Sequence, residues 1–322
     1  MTTSEPRLAF TILGRRLTAV GSGTDLAQWL AHHWRRSEHE LSPHPFEITL
    51  RCSREATLPT EPRARLPALH TSAGDAAAPV HVTESGERAS ALLGSVPGGV
   101  YLELEPNGAR LDAWGVTERG AAGRWPLLLA LHEAVRASGL LPLHCAAAVH
   151  PDDRGATIFL GPAGVGKSTT LLTLARAGWA PVCEDFAWLD PESRRLYAWD
   201  HEVRLRPDAL ARFGPLETWA QSGGAATKRV VAYDEIAARC GVQRQTSASL
   251  QRLAWLQRDR GPSGWEPLDR VAAVPVLWEA IGLPLTEPAR RLVASRIASV
   301  LGGTELRTLR LGATPLPTER PT

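Results

Sequence analysis

The chain has 322 residues, of which 43% are hydrophobic and 22% are charged, and its formal net charge is +2. This is ordinary globular composition, and a charge so near zero argues against a nucleic-acid or membrane-surface partner. The sequence has no unbroken apolar run of about 18 residues and no leader-like basic start, so we expect a cytoplasmic protein without a membrane span. The four cysteines lack CxxC spacing, which predicts free thiols in a reducing compartment and no zinc site.

Residues 1–120 predict a small N-terminal α+β domain whose role the sequence does not indicate. Alternating apolar and polar residues predict its strands, which cover 7–14, 46–52, 79–83, 99–105 and 109–114. A helix is predicted at about 25–36. The segment 53–79 is rich in Pro, Ala, Ser and Thr, which is typical of a loop or linker.

Residues 121–312 predict a second domain in which strands and helices alternate. The predicted strands cover 141–149, 155–161, 179–185, 250–257 and 304–311, with a hairpin around the turn DPES at 190–193. The predicted helices cover 123–139, 167–177, 208–214, 268–282 and 286–301. Residues 313–322 are Pro-rich and predict a flexible tail.

The segment GPAGVGKSTT at 161–170 matches the phosphate-loop pattern G-x-x-x-x-G-K-[ST] (Walker A) between an apolar strand and an amphipathic helix. Glycines let successive backbone N–H groups turn toward a phosphate, the Lys167 ammonium reaches its oxygens, and the Ser168 hydroxyl ligates Mg²⁺. An ordinary glycine-rich turn between a strand and a helix is the alternative. The predicted nucleotide-binding residues are Gly161, Pro162, Ala163, Gly164, Val165, Gly166, Lys167, Ser168 and Thr169.

Two carboxylates follow at the end of the next predicted strand. Glu184 and Asp185 lie 17 and 18 positions after Lys167. Ligands of open α/β sheets bind at the carboxyl ends of strands, so both acids are predicted to face the γ-phosphate or its acceptor. One could orient Mg²⁺ through water, and the other could take the proton of the acceptor hydroxyl. A solvated acidic turn is the alternative.

His144 and Lys228 are two further catalytic candidates. His144 lies in the apolar run LPLHCAAAV, where a structural histidine is the alternative to one that positions an acceptor or phosphate oxygen. Lys167 and Lys228 are the only lysines among 36 lysine and arginine residues. Lys228 follows a Gly/Ala-rich stretch, which predicts a mobile loop able to close a cation over the phosphate. A surface lysine is the alternative.

The runs LHCAAAV and GATIFLGPAGVGKSTTLLTLARAGWAPVCED resemble the HPr kinase/phosphorylase family, in particular the HPr-kinase-like proteins found beside ribosomal-peptide maturation genes. The family combines a histidine-bearing strand, a phosphate loop, a helix that ends before glycine, and a strand that closes on two acids. The resemblance covers about residues 125–205 and weakly the remainder. The family shares its kinase core with phosphoenolpyruvate carboxykinase.

The resemblance implies ATP, Mg²⁺ and transfer to a serine hydroxyl. Asp185 matches the family's second acid, which acts as base, and Glu184 matches the first, where the family usually has Asp. The longer Glu side chain keeps the charge but moves the oxygens, so the division of base and metal roles between the two acids stays open. The family's arginine- and glycine-rich segment, associated with phosphorylase activity, has no clear counterpart after residue 190. The N-terminal region does not match either, so the protein HPr is a poor substrate candidate.

These observations predict an α/β P-loop kinase core, similar to HPr kinase and phosphoenolpyruvate carboxykinase, behind a small N-terminal α+β domain. The predicted function is an ATP- and Mg²⁺-dependent kinase that phosphorylates a serine of a peptide or protein. The alternatives are a small-molecule kinase and an ATP-binding regulator without catalysis. Ser168 and Glu184 are the predicted metal-binding residues. Nothing in the sequence argues against a homo-oligomer, and nothing in it names the acceptor.

Overall fold

The computed structural model describes residues 7–21, 43–53, 80–95, 98–115, 121–205 and 229–319. The predicted helices at 25–36 and 208–214, most of the predicted loop at 53–79, and Lys228 lie outside the described residues. The described chain is mixed α/β. Within it, no helix is long and apolar enough to cross a membrane.

The chain divides into two compact units. The first consists of Met1–Leu140 and Pro284–Ala294, and the second consists of Leu141–Leu283 and Ser295–Thr322. The division falls after Leu140 and not near the predicted boundary at residue 120, because the helix that follows residue 120 packs on the strands of the first unit.

The first unit is built on a seven-stranded sheet. Its strands are β1 (Arg7–Ile12), β2 (Arg15–Gly21), β3 (His44–Ser53), β4 (Val80–Ser85), β5 (Arg88–Ser95), β6 (Gly98–Glu105) and β7 (Gly108–Trp114). Their order in the sheet is β1-β2-β3-β7-β6-β5-β4, with β2, β3 and β7 parallel to each other and the remaining pairs antiparallel. β2 and β5 were not predicted from the sequence. Helix α1 (Ala121–Ala137) packs against β5, β6 and β7.

One buried carboxylate connects two segments of this unit that are distant in sequence. Glu133 of α1 accepts hydrogen bonds from the backbone N–H groups of Leu285 and Thr286, at 2.9 and 3.2 Å, and from the Thr286 hydroxyl. Arg136 donates to its other oxygen at 2.6 Å. A fully buried carboxylate needs such partners, so Glu133 fixes the chain that enters the last helix against α1.

The second unit is built on a nine-stranded mixed sheet and a two-stranded ribbon. The sheet contains β8 (Leu141–Leu143), β9 (Ala146–Val149), β10 (Gly155–Leu160), β11 (Ala180–Cys183), β12 (Ala187–Asp190), β13 (Arg195–Ala198), β16 (Ser247–Arg258), β17 (Gly264–Pro267) and β18 (Glu305–Leu311). The ribbon pairs β14 (Glu202–Leu205) with β15 (Arg229–Ala232). The helices are α2 (Lys167–Arg176), α3 (Tyr233–Cys240), α4 (Arg270–Ile281) and α5 (Glu287–Gly302), whose first half belongs to the first unit.

Helix α2 packs in two directions. Leu171 and Leu174 join a buried cluster with Phe159 and Trp179 over the large sheet. Leu172 and Ala175 join a second cluster with residues of β14, β15 and α3. The sequence predicts an amphipathic helix with one apolar face, but the ribbon and α3 cover a second face. Because both faces are buried, α2 and the loop that precedes it are held firmly against the sheet.

The segment that follows β18 is attached to the second unit, in contrast to the flexible tail that the sequence predicts for 313–322. The Ala313 N–H donates to the Gly261 carbonyl at 2.9 Å, and the indole N–H of Trp179 donates to the Thr318 carbonyl at 2.8 Å. Leu316 packs on the cluster that contains Trp179. These contacts are made by backbone groups and one leucine, which a Pro-rich composition does not indicate.

Candidate functional site

Strand order brings the sequence-predicted groups to one end of the sheet. β9 pairs antiparallel with both β10 and β11, so the start of β9 lies beside the ends of the other two strands. His144 precedes β9, the phosphate loop follows β10, and the pair Glu184–Asp185 follows β11. The sequence predicted one strand over 141–149, but it is broken at His144 and Cys145, which join β8 to β9.

The phosphate loop connects β10 directly to α2, as its pattern predicts. Gly161 has φ 146°, and a Cβ there would lie 3.2 Å from the carbonyl oxygen of Leu256. Gly166 has φ 124° and is the N-cap of α2, where no side chain caps the helix. Both backbone conformations favour glycine. The first N–H groups of a helix carry partial positive charge, so an uncapped end that follows such a loop suits an anion.

Lys167 places its ammonium inside the loop. The side chain is 8% exposed, and its Nζ donates to the Gly161 carbonyl at 2.8 Å. Burial lowers the pKa of Lys167, while the negative charges of Asp185, Glu184 and Glu279 raise it. The opposing effects identify a desolvated cation that faces several carboxylates. A phosphate bound in the loop would meet this charge.

Ser168 and Glu184 are in contact. The Ser168 hydroxyl donates to Oε1 of Glu184, and the backbone N–H of Arg204 donates to Oε2 at 3.2 Å. Glu184 is only 4% exposed, and burial raises its pKa although both hydrogen bonds lower it. The two oxygen groups predicted to bind metal therefore lie side by side at the N-terminus of α2.

Asp185 points to the opening of the site. Its Oδ1 lies 3.5 Å from Nδ1 of His144, and the two side chains are 51% and 49% exposed. The backbone N–H of His144 donates to the carbonyl of Ala280 at the end of α4, which fixes the main chain that carries the imidazole. This arrangement offers an accessible carboxylate and an imidazole to a second reactant.

Asp200 was not predicted, and it organises the acidic turn. Its Oδ2 accepts hydrogen bonds from the N–H groups of Glu184 and Asp185, at 2.5 and 2.9 Å, and from the Tyr233 hydroxyl at 3.1 Å. Arg244 donates to its Oδ1 at 2.9 Å. Burial raises the pKa of Asp200, while the Arg244 charge and the two backbone N–H groups lower it. Asp200 thus holds both catalytic candidates through their backbone.

Arg244 completes the support of this turn. Its Nε donates to the Val182 carbonyl at 3.0 Å, and its guanidinium lies 3.7 Å from the centroid of the Tyr233 ring. A planar guanidinium can make these hydrogen bonds and the ring contact together, which a lysine could not. The sequence signal for Asp200 was its place directly after the second strand of the predicted hairpin. The sequence around Tyr233 and Arg244 contains no motif that would identify them as site residues.

Two more residues near the loop were missed. Arg258, at the end of β16, donates from Nε to the Val165 carbonyl and from Nη2 to the Gly164 carbonyl, both at 3.1 Å. It therefore stabilises the phosphate loop by hydrogen bonds to two of the loop's carbonyl groups. Glu279 of α4 adds negative charge near Lys167. Both lie far along the chain from the motif, and the strand and helix predicted there contain no motif that marks a site residue.

No known protein-family model matches this chain, and no functionally characterised protein matches it significantly. The assignment of a function therefore depends on the residues and on their geometry.

Proposed function

We propose that this protein is an ATP- and Mg²⁺-dependent phosphotransferase of the HPr-kinase-like type that phosphorylates a serine hydroxyl of a peptide or protein. The observation that carries the proposal is the juxtaposition of a phosphate loop with two carboxylates of different exposure. Glu184 is buried against Ser168, and Asp185 is accessible beside His144. Phosphoryl transfer needs these two kinds of carboxylate, one near the metal and one near the acceptor.

The oxygen groups of Ser168 and Glu184 fit Mg²⁺. Magnesium is commonly held by one or two protein oxygens, with phosphate oxygens and water completing its shell. Among the described residues, no cluster of three His, Cys, Asp or Glu side chains forms a complete metal site. When bound, Mg²⁺ would neutralise charge on the phosphate oxygens.

Lys167 and the loop N–H groups would bind the β- and γ-phosphates. The acceptor oxygen would attack the γ-phosphorus while its proton passes to Asp185, and the bond from the γ-phosphorus to the bridging oxygen of ADP would break. The imidazole of His144 would orient the Asp185 carboxylate or the acceptor. Asp200 would keep the backbone of Glu184 and Asp185 in place during the reaction.

The test is a transfer assay with γ-labelled ATP and Mg²⁺ against peptides encoded by neighbouring genes and a panel of metabolites. We expect label on a peptide serine, and a loss of about 10³-fold in kcat/KM in the Lys167→Ala variant, or about 4 kcal/mol of barrier. Label on a metabolite alone would instead identify a small-molecule kinase. Mg²⁺-dependent ATP binding without transfer to any acceptor would identify a regulator.

Arg176→Ala is the matched control for Lys167→Ala. Arg176 is an exposed cation in the last turn of the same helix, so its loss removes a positive charge from α2 away from the loop. We expect full activity in the control. A Lys167→Ala enzyme that keeps full turnover at limiting ATP would refute the role of the loop.

A further inference from the structure

A cavity of about 390 Å³ adjoins the phosphate loop, and neither Glu184 nor Asp185 lines it. Its volume falls within the range of about 300–1,000 Å³ that is typical of small-molecule sites. Thr169 and Thr173 of α2 line the cavity together with Leu316 of the C-terminal segment. The proposed function assigns nothing to this cavity.

Ser168 and Thr169 of α2 point toward different surroundings. Successive residues of a helix point about 100° apart. Ser168 turns toward Glu184, whereas Thr169 lines the cavity. When the γ-phosphate of a bound triphosphate lies beside the acids, its α-phosphate would therefore lie toward Thr169.

The C-terminal segment builds the outer wall of the cavity. The Ser263 N–H donates to the Thr314 hydroxyl and the Ser263 hydroxyl donates to the Thr314 carbonyl, both at 2.7 Å. The Gly312 N–H donates to the Ser263 hydroxyl at 2.9 Å. These three hydrogen bonds join the turn after β16 to the chain after β18, so the wall is ordered without a ligand.

The chemistry of the lining is mixed, and both of its charged side chains already have hydrogen-bond partners, Arg258 through the carbonyls of Val165 and Gly164. Val165, Leu311 and Leu316 give apolar surface. Asp259, at the rim, is held by Arg310 at 2.6 Å. Apolar walls with hydroxyl groups between them suit a flat, neutral base and a ribose better than a second charged group.

We infer that this cavity receives the base and ribose of the nucleotide and that residues 312–316 form the outer wall of that nucleoside site. The inference rests on the proposed function, since it needs the triphosphate in the phosphate loop. It adds a role for the C-terminal segment: affinity for the nucleoside depends on this wall, whereas affinity for the phosphate chain does not.

The test compares the binding of Mg²⁺-ATP with that of Mg²⁺-tripolyphosphate by calorimetry. The unmodified protein should bind ATP at least tenfold more tightly. The Thr173→Trp variant fills the cavity from α2 and should lose at least tenfold in ATP affinity while tripolyphosphate affinity stays within twofold. Arg176→Trp, one turn further along the helix and exposed, adds the same side chain outside the cavity and should change neither affinity.

A second variant approaches the wall from the other side. Leu316→Ala should weaken ATP about threefold to tenfold and leave tripolyphosphate unchanged, so the inference stays testable if Thr173→Trp loses its fold. Equal affinities of the unmodified protein for ATP and tripolyphosphate would overturn the inference, as would unchanged ATP affinity in Leu316→Ala. Binding of neither ligand to the unmodified protein would refute the proposed function itself.

Discussion

At each end of β10 an aspartate lies near a histidine and another aspartate is buried against an arginine. At the end where β10 begins, Oδ2 of Asp152 lies 3.9 Å from Nδ1 of His150, and Asp153 lies 3.3 Å from Arg252. At the end where β10 enters the phosphate loop, the same kinds of pair recur as His144–Asp185 at 3.5 Å and Asp200–Arg244 at 2.9 Å.

The two ends differ in what the buried aspartate holds. Asp153 contacts the side chain of Arg252, which also donates to Thr157 at 3.0 Å and to Glu305 at 2.8 Å. This network joins β10, β16 and β18. Asp200 instead holds the backbone of the acidic turn, whose second side chain is half-exposed beside the loop.

Residue types alone therefore do not define the candidate site. Aspartate, histidine and arginine are paired at both ends, but only one end borders the phosphate loop. The difference is that one buried carboxylate orders side chains, whereas the other orders the backbone of the acidic turn, where the Asp185 side chain stays accessible. Matched substitutions at the two ends can therefore separate catalysis from stability.

The largest expected difference is between Asp185→Asn and Asp152→Asn. Asp185→Asn should lower kcat by about 10²-fold or more, since the amide cannot accept the acceptor's proton, while the Kd of Mg²⁺-ATP stays within a few fold. Asp152 is 78% exposed, so Asp152→Asn should leave kcat and Kd unchanged. Steady-state kinetics and calorimetry measure both constants. A collapse of ATP affinity in Asp185→Asn would make Asp185 a metal or nucleotide ligand instead of a base.

A smaller effect is expected when the buried pairs are broken. Asp200→Asn and Asp153→Asn should both lower the free energy of unfolding, the former by about 3 kcal/mol because Arg244 loses its carboxylate. Asp153→Asn should cost less, since Arg252 keeps Glu305. Only Asp200→Asn should also lower kcat, by about tenfold, through misplacement of Asp185.

The measurement for this pair must correct for unfolded protein. Denaturant titration gives the folded fraction, and kcat is then compared per folded molecule with saturating ATP and acceptor. A merely structural role for Asp200 predicts equal kcat in the two variants once that correction is made. That outcome would show that Asp200 does not position Asp185 for catalysis.

The sequence predicted the parts of this site that are local. The loop, the helix after it and the acids 17 and 18 positions beyond Lys167 follow from spacing within one strand–helix–strand segment. Asp200 and Arg244 are 44 positions apart, so their pairing follows from the fold and from no motif. The break at His144 was hidden because the apolar run continues through two short strands that pair with different neighbours.

The smallest expected effect concerns stability and comes from Glu184. Burial raises its pKa above the ordinary value of 4.5. A raised carboxyl pKa means that the folded state binds the proton more tightly. The resulting stability is complete below the unfolded pKa and is lost as the pH rises through the folded pKa. At neutral pH the unmodified protein therefore carries a charge that burial disfavours.

Glu184→Gln should remove this cost, because a neutral amide can still accept from Arg204 N–H and face Ser168. We expect the variant to be more stable than its parent by about 1 kcal/mol at pH 7.5, the scale of single stabilising changes at functional sites. The advantage should shrink as the pH falls and vanish below the unfolded-state value of 4.5, where the parent's carboxyl is protonated in both states. Denaturant midpoints across this range measure it, with exposed Asp152→Asn as the control. A variant less stable than its parent at pH 7.5 would show that the Ser168 and Arg204 hydrogen bonds outweigh burial, and that Glu184 belongs with the structural acids at the other end of β10.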